Sequence, residues 1–282
     1  MYPINILKNK DSYIYKFGYQ IVHNQLTSAA AEMAYYLIFA FFPLLMVIHA
    51  SLSMLLADFD FDSSIIFSIV PTLIENLIRS YTEHISKNSN LSFLLLGIIL
   101  TIYTLSKFMK SLKKTVRRIY CSHNYSMPLA DWGVSIVFAL LIIASFYASL
   151  LLLILGEHLF SLIRISFPLV NFSFFQSYFR YIYTAVVICV VVALLYYMIP
   201  NVKHSIKEIL PGTLFSSASW IIISGVFSFY MNNFSRYSVI YGSIGAFIML
   251  LLWIYILCLL ILLGAVINSL IYDKRTGIIS GN

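Results

Sequence analysis

The chain has 282 residues, of which 61% are hydrophobic and only 10% are charged. A water-soluble domain cannot bury that much apolar surface, so the composition excludes a soluble globular protein and indicates that lipid is the solvent. The net charge of +7 raises the question of a nucleic-acid partner, but basic residues in a membrane protein first report its orientation and its contact with anionic lipid.

Several long apolar segments predict membrane-spanning helices, because about 20 apolar residues in helical conformation cross the hydrocarbon core of a bilayer. We therefore predict an all-α, polytopic membrane protein with about six transmembrane helices. The predicted spans are residues 29–56, 91–105, 132–155, 181–199, 213–230 and 242–271.

The distribution of lysine and arginine predicts the orientation of these helices. Basic residues concentrate in the N-terminal segment, in the loops after the second and fourth spans, and in the C-terminal tail. Because positively charged loops stay in the cytoplasm, both termini are predicted to be cytoplasmic. The chain then forms a single transmembrane domain, with a helix bundle over residues 29–271 between the cytoplasmic segments 1–28 and 272–282.

Two external connections have the composition of amphipathic interfacial helices. Apolar residues recur at helical spacing in residues 58–81, and residues 157–180 are rich in Phe, Leu and Ile. Such helices lie on the bilayer surface or against the bundle, where they could cover a cavity.

The second span continues without a helix breaker into a basic stretch, residues 107–120. Phe108, Leu112, Thr115, Val116 and Ile119 predict a partly apolar face, which suits a position at the level of the lipid headgroups. The functional interpretation is a site for anionic lipid headgroups, and the alternative is an anchor that only fixes the topology. The candidate headgroup ligands are Lys107, Lys110, Lys113, Lys114, Arg117 and Arg118.

Glu32 is the only acidic residue within a predicted span. An ionisable group there has to face protein or water, which makes Glu32 the first candidate for contact with a substrate. The alternative is an interfacial carboxylate that neighbouring groups cap or pair. Pro43 is predicted to kink the same helix, and Tyr35 and Tyr36 complete the candidate substrate site of this span.

Glycines mark the predicted start of the last span. Gly242 and Gly245 could loosen the start of that helix so that its amides meet an anionic group, with Asn232, Arg236 and Tyr241 at the same external mouth. The alternative is close helix packing, which also fits Gly264 and Asn268, because residues four apart share a helix face. Asn268 is the last candidate substrate contact.

These motifs together resemble the YihY/BrkB family of bacterial inner-membrane proteins, some members of which were once labelled a tRNA-processing ribonuclease. The order and spacing of the matching residues cover nearly the whole chain. One departure is visible: the family usually ends its last motif with a Gly-Ala-Glu-type sequence, whereas Val266 stands at the position of that carboxylate. The matching segments are 29–36, 42–45, 197–200, 210–212, 241–245, 253–255 and 263–265, with Asn268.

The resemblance implies a bacterial inner-membrane protein and suggests transport or handling of lipid-like envelope molecules. We expect a non-enzymatic transporter or flippase-like protein for a lipidic or amphiphilic substrate, with a scaffold or assembly factor of the cell envelope as the alternative. Membrane lipids are the expected partners, self-association is left open, and nucleic acid is not expected.

No catalytic residue, metal or cofactor is predicted. A metal-dependent nuclease needs several carboxylates or histidines that converge on ions about 4 Å apart, whereas the cytoplasmic acids of this chain are scattered through separate segments and its histidines have no ligand spacing. The three cysteines are also too few and too separated for a disulfide framework or a metal cluster.

Overall fold

The described part of the chain is a bundle of helices. A computed structural model describes residues 13–55, 91–121, 172–200, 205–233 and 236–277, together with Gly133, Ile136, Val137, Leu140, Ala144 and Val202. No strand occurs among these residues. The helices are α1 (Tyr13–His23), α2 (Leu26–Leu55), α3 (Leu91–Ile119), α4 (Phe172–Met198), α5 (Ile206–Asn233) and α6 (Arg236–Thr276).

Four of these helices, α2, α3, α5 and α6, contain a segment long and apolar enough to cross a membrane, and α4 contains the shorter apolar segment Thr184–Met198. The predicted all-α, polytopic membrane fold is confirmed. The predicted third span, residues 132–155, lies outside the described residues except for a few helical positions, and the predicted interfacial helix 58–81 lies outside them entirely.

The predicted helix boundaries need three corrections. Helix α4 begins at Phe172, so the last turns of the predicted interfacial element 157–180 belong to a long helix that continues into the span. Helix α5 begins at Ile206 and α6 at Arg236, each about two turns before its predicted start. The length of the apolar segments therefore predicted these helices correctly, but it did not predict that they begin before the apolar segments do.

Helix α1 was not predicted at all, although its buried side has a helical period. Phe17, Gln20 and Ile21 of α1, and Asn24 directly after it, lie three and four residues apart and face the bundle. Gln20 Oε1 accepts a hydrogen bond of 3.0 Å from Ser269 Oγ of α6. Because the buried positions of α1 are half polar, apolar content alone did not reveal the helix.

Local chemistry sets several helix ends. Glu208 caps the start of α5, where the Ser205 amide donates to the Glu208 carboxylate over 3.1 Å, which is one of the two bonds of a capping box. A residue in the left-handed conformation follows the C-terminal end of three helices: Gln25 after α1 (φ 50°), Cys121 after α3 (φ 49°) and Gly277 after α6 (φ 67°).

Helix α6 is the central element of the bundle. It packs against α1, α2, α3 and α5, while α2 packs mainly against α3, and α4 packs against α5. The core lies where these helices meet and contains the fully buried side chains of Met33, Met109, Leu112, Val192 and Leu262.

We expect Met109→Ala to destabilise the protein by about 2–5 kcal/mol, because truncating a buried side chain leaves a cavity. Met109 is fully buried in α3, whereas Ile99 of the same helix is 67% exposed. Thermal unfolding in detergent measures the difference, and Ile99→Ala is the control that should retain the wild-type melting temperature. Equal melting temperatures for the two variants would contradict the packing of α3.

Candidate functional site

Helices α5 and α6 approach most closely where two glycines face each other. A Cβ atom placed on Gly212 would collide with the Gly264 carbonyl oxygen, and one placed on Gly264 would collide with Ser216 Oγ and with the Tyr196 hydroxyl. Only glycine fits at either position, so the two backbones are in direct contact. Small residues permit this kind of approach between helices in lipid.

The Asn268 side chain adds a hydrogen bond to this contact between α5 and α6. Its Oδ1 accepts a hydrogen bond of 2.7 Å from the Gly212 amide, and the side chain is only 1% exposed. Pro211 precedes this amide and has no N–H to donate, so the helix ladder is interrupted beside Gly212.

Tyr196 joins α4 to the same place. Its hydroxyl donates to the Ile261 carbonyl over 2.6 Å and is 2.7 Å from Ser216 Oγ, which in turn donates to the Leu260 carbonyl over 3.0 Å. We call the five residues Tyr196, Gly212, Ser216, Gly264 and Asn268 the polar cluster. It links α4, α5 and α6 by hydrogen bonds inside an apolar bundle.

Two buried groups at this junction lack a hydrogen-bond partner among the described residues. They are Nδ2 of Asn268, whose other side-chain atom is bonded to Gly212, and Oγ of Ser217, which is 5% exposed and follows Ser216 on the buried face of α5. A buried polar group without a partner costs about 1–3 kcal/mol. These groups could therefore receive a polar group of a ligand.

The candidate residues of the first span do not join this cluster. Glu32 and Tyr35 are exposed on the outer surface of α2, and Tyr36 is partly buried against the core. Helix α2 continues through Pro43 without interruption. An open recess on α6, lined by Ile267, Leu270, Ile271 and Lys274, does not include Glu32.

The predicted loosened helix start is wrong. Because α6 begins at Arg236, Gly242 and Gly245 lie in its second and third turns, where backbone amides bond within the helix. Asn232 lies in the last turn of α5, and Arg236 and Tyr241 lie in the first two turns of α6. Whether these residues contact a substrate stays a prediction.

The basic stretch is part of α3, as its lack of a breaker predicted, but its position differs from the prediction. Phe108, Leu112, Val116 and Ile119 are buried in the bundle core, so the apolar face packs on protein and not on the membrane surface, and headgroup contact of the outward-facing lysines stays a prediction. Lys113 is also buried, at 4% exposure, and does not face lipid headgroups.

The two arginines of this stretch tie helix ends together. Arg117 Nε donates to the Ile199 carbonyl after α4, and Arg118 Nη1 donates to the Asn24 carbonyl after α1, each over 3.4 Å. Lys110 and Lys114 are exposed, and the Lys107 ammonium lies 5.4 Å from the centre of the Tyr103 ring.

Ion pairs join further helix ends at the same place. We call this region the basic end of the bundle; it consists of α1, the last turn of α3, the first turn of α5 and the last turns of α6. Lys16 Nζ lies 3.7 Å from the buried Asp273 carboxylate, and Arg275 contacts Glu208 at 2.9 Å. The Tyr120 ring packs on that of Tyr272 at 5.8 Å.

Burial controls protonation at the basic end. It raises the pKa of Tyr120 far above the usual phenol value, and nearby Tyr196 and Glu208 act in the same direction. Burial followed by the Asp273 carboxylate raises the pKa of the Cys121 thiol. Both groups are therefore neutral at physiological pH. Among the residues that the structure describes, no group of three or more His, Cys, Asp or Glu side chains could hold a metal ion.

A family model described as virulence factor BrkB matches residues 18–280. The chain belongs to the virulence factor BrkB family. The ribonuclease-like protein YfkH of Bacillus subtilis is 30% identical over 88% of this chain and 90% of its own length. A UPF0761 membrane protein of Photobacterium profundum is 25% identical over 96% of this chain and 84% of its own length.

Longer relatives also occur: a UPF0761 membrane protein of Xanthomonas campestris is 25% identical over 89% of this chain but only 58% of its own length. No solved structure matches this chain. The membrane-protein names of two relatives agree with the fold of this BrkB-family member.

Several residues that carried the resemblance to this BrkB family meet in the polar cluster. Gly212 belongs to one motif and Gly264 and Asn268 to another, and the close packing predicted from the spacing of Gly264 and Asn268 is confirmed. Sequence reasoning missed Tyr196 and Ser216 as partners, because nothing local shows which turn of α5 meets α4. Val266, at the position of the family's usual carboxylate, is fully buried.

Gly212→Ala should destabilise this BrkB-family protein by about 1–3 kcal/mol or more, because the added methyl group meets backbone that cannot move aside. Gly225 lies in the same helix with nothing within 4 Å of its added Cβ. Gly225→Ala is the matched control and should stabilise by about 0.5–1 kcal/mol through helix propensity. Thermal unfolding in detergent compares them, and a Gly212→Ala variant as stable as the control would refute the close approach.

Proposed function

We propose that this BrkB-family membrane protein is a transporter or flippase-like handler of a lipidic or amphiphilic substrate in the bacterial inner membrane, with its basic end and both termini in the cytoplasm. The observation that carries the proposal is the pair of unpartnered groups, Asn268 Nδ2 and Ser217 Oγ, at the buried polar junction of α4, α5 and α6.

Polar groups inside membrane-spanning bundles are costly and commonly mark a substrate pathway. Asn268 Nδ2 can donate hydrogen bonds, and the Ser217 hydroxyl can donate and accept. Phosphate, sugar or hydroxyl groups of an amphiphile would satisfy them, so that the bound substrate removes a cost that the empty protein bears.

The outward faces of α4 and α5 are apolar and could contact the hydrocarbon chains of an amphiphile. Exposed apolar side chains follow one stripe of α4 at Ile182, Val186, Val190 and Leu194. Because α4 and α5 border the polar cluster, a substrate with its polar group at the cluster could keep its acyl chains against these faces and in lipid. No hydrocarbon would then enter the polar junction.

A scaffold or assembly factor of the cell envelope is the second candidate. The observation that favours it is that Tyr196, Ser216 and Gly212 use their hydrogen bonds to hold helices together. This role predicts stably co-purifying proteins and a cellular phenotype that does not change with Ser217→Ala.

The proposal is tested with purified protein in liposomes that carry a fluorescent phospholipid and are treated with an external quencher. We expect the protein to expose inner-leaflet lipid, and Ser217→Ala to slow this movement about fivefold, as loss of about one hydrogen bond would. The melting temperature of this variant should equal or exceed that of wild type, because an unpartnered buried hydroxyl is removed.

Ser111→Ala is the matched control. Ser111 Oγ is also buried without a partner among the described residues, but it lies in α3, outside the cluster. This variant should move lipid at the wild-type rate. Absence of lipid movement by wild type with both zwitterionic and anionic phospholipids would count against transport, and equal rates for Ser217→Ala and wild type would remove Ser217 from the pathway.

A further inference from the structure

The outward face of α3 changes character halfway along the helix. Leu96, Leu100 and Tyr103 are exposed on this face in the first half of the helix. The second half carries lysine and arginine at spacings of three and four residues, which keeps them on the same face. We call these four residues the basic row: Lys107, Lys110, Lys114 and Arg118.

The junction between the two halves has the features of a membrane boundary. The Lys107 ammonium lies 5.4 Å from the centre of the Tyr103 ring, and Tyr103 is 59% exposed. Tyrosine is enriched at the level of the headgroups, and lysine near a helix end extends its charge toward them. On the α3 flank, hydrocarbon therefore ends near Lys107.

On the α4 flank, the boundary between hydrocarbon and headgroups lies at a different level along the helix axes. Its exposed apolar stripe continues to the end of the helix, where Tyr197 and Met198 are exposed. Arg117 bonds to the Ile199 carbonyl, so the end of α4 is level with Arg117. Lys107 lies ten residues before Arg117 in the same helix, a distance of about 15 Å along the axis.

A flat bilayer cannot fit both flanks. With its surface at Lys107, the last apolar turns of α4 and the exposed Ile206 and Leu210 of α5 would stand in water. With its surface at the end of α4, Lys110 and Lys114 would lie in hydrocarbon, which is strongly unfavourable for a charge. Both flanks are satisfied if the membrane surface is not flat. Headgroups would then reach toward the bilayer centre as far as Lys107 along α3, while acyl chains would extend to the last turn of α4 and along α5.

We propose that the basic row binds the phosphate groups of anionic phospholipids and draws them below the level of the surrounding bilayer surface. Anionic lipid fits because the row presents cations at intervals of about 5–6 Å along one face, and because the apolar half of the same face continues directly below it. Lys113 and Arg117 are not part of this site, since Lys113 is buried and Arg117 is half-buried and bonds to the end of α4, whereas Arg118 is exposed.

This inference rests on the proposed function only in naming anionic phospholipid as the amphiphile, since binding requires no transport. The full chain is placed in nanodiscs of equal parts phosphatidylglycerol and phosphatidylcholine, and the lipids retained on the extracted protein are identified by mass spectrometry. The variant Lys110→Gln/Lys114→Gln should lose phosphatidylglycerol enrichment about tenfold, because each cation near the surface attracts anionic lipid. Arg118 is left intact because it bonds to Asn24.

The matched control is Lys207→Gln/Lys274→Gln, which removes two exposed lysines of the basic end outside the row. It should retain the wild-type enrichment within about twofold. Equal losses in the two variants would show that total charge alone attracts lipid, and an unchanged row variant would show that the row binds none. Either result overturns the inference.

Transport is measured separately on the same variants in liposomes. The row variant should slow movement of fluorescent phosphatidylglycerol and leave phosphatidylcholine movement unchanged, which supports the row as the headgroup path. If wild type moves neither lipid, the proposed function fails, while the enrichment measurement still decides whether the row binds phosphatidylglycerol.

Discussion

The described bundle depends on the contact between Gly212 of α5 and Gly264 of α6. Lipid removes most of the hydrophobic drive that would hold apolar helices together in water, so packing and hydrogen bonds have to supply the association. A pair of glycines brings two backbones into contact, and Asn268 adds a hydrogen bond to the Gly212 amide at the same point. Through Tyr196, the contact also fixes α4, which otherwise packs mainly on α5. The packing of α4, α5 and α6 against one another therefore depends on two glycines.

The opposite side is held by different means. Helices α2 and α3 pack through large apolar side chains such as Met33 and Met109, and Arg118 bonds the end of α3 to the end of α1. The α4–α5 side is thus apolar outside up to the last turn of α4 and polar within, while the α2–α3 side is apolar within and basic outside only along the second half of α3. This asymmetry gives an amphiphile two different surfaces on one protein, and it connects the proposed transport with the proposed headgroup site.

Sequence reasoning located the helices well where a single physical effect dominates. Long apolar stretches revealed the spans of α2, α5 and α6, and the absence of a breaker revealed the length of α3. It failed where the outcome depends on which neighbour a face meets: the apolar face of α3 suits lipid and protein equally, and only the fold buries it together with Lys113. The intramembrane placement of Glu32 suggested a buried site, yet its position on α2 is exposed. In the polar cluster, the spacing of Gly264 and Asn268 predicted close packing, but Tyr196 and Ser216 come from helices whose alignment no local pattern encodes.

The central position of α6 has a consequence for the way the protein is made. Chains are synthesised from the N-terminus, and membrane helices insert before they associate. Helix α6 follows α1–α5 in the chain, so these helices are synthesised before the helix against which α1, α2, α3 and α5 pack. Until α6 arrives, Gln20 and Gly212 lack their partners Ser269 and Asn268. Contacts within the pairs α2–α3 and α4–α5 can form before α6 is present, whereas most contacts that join these pairs into one bundle form only after α6 has been inserted.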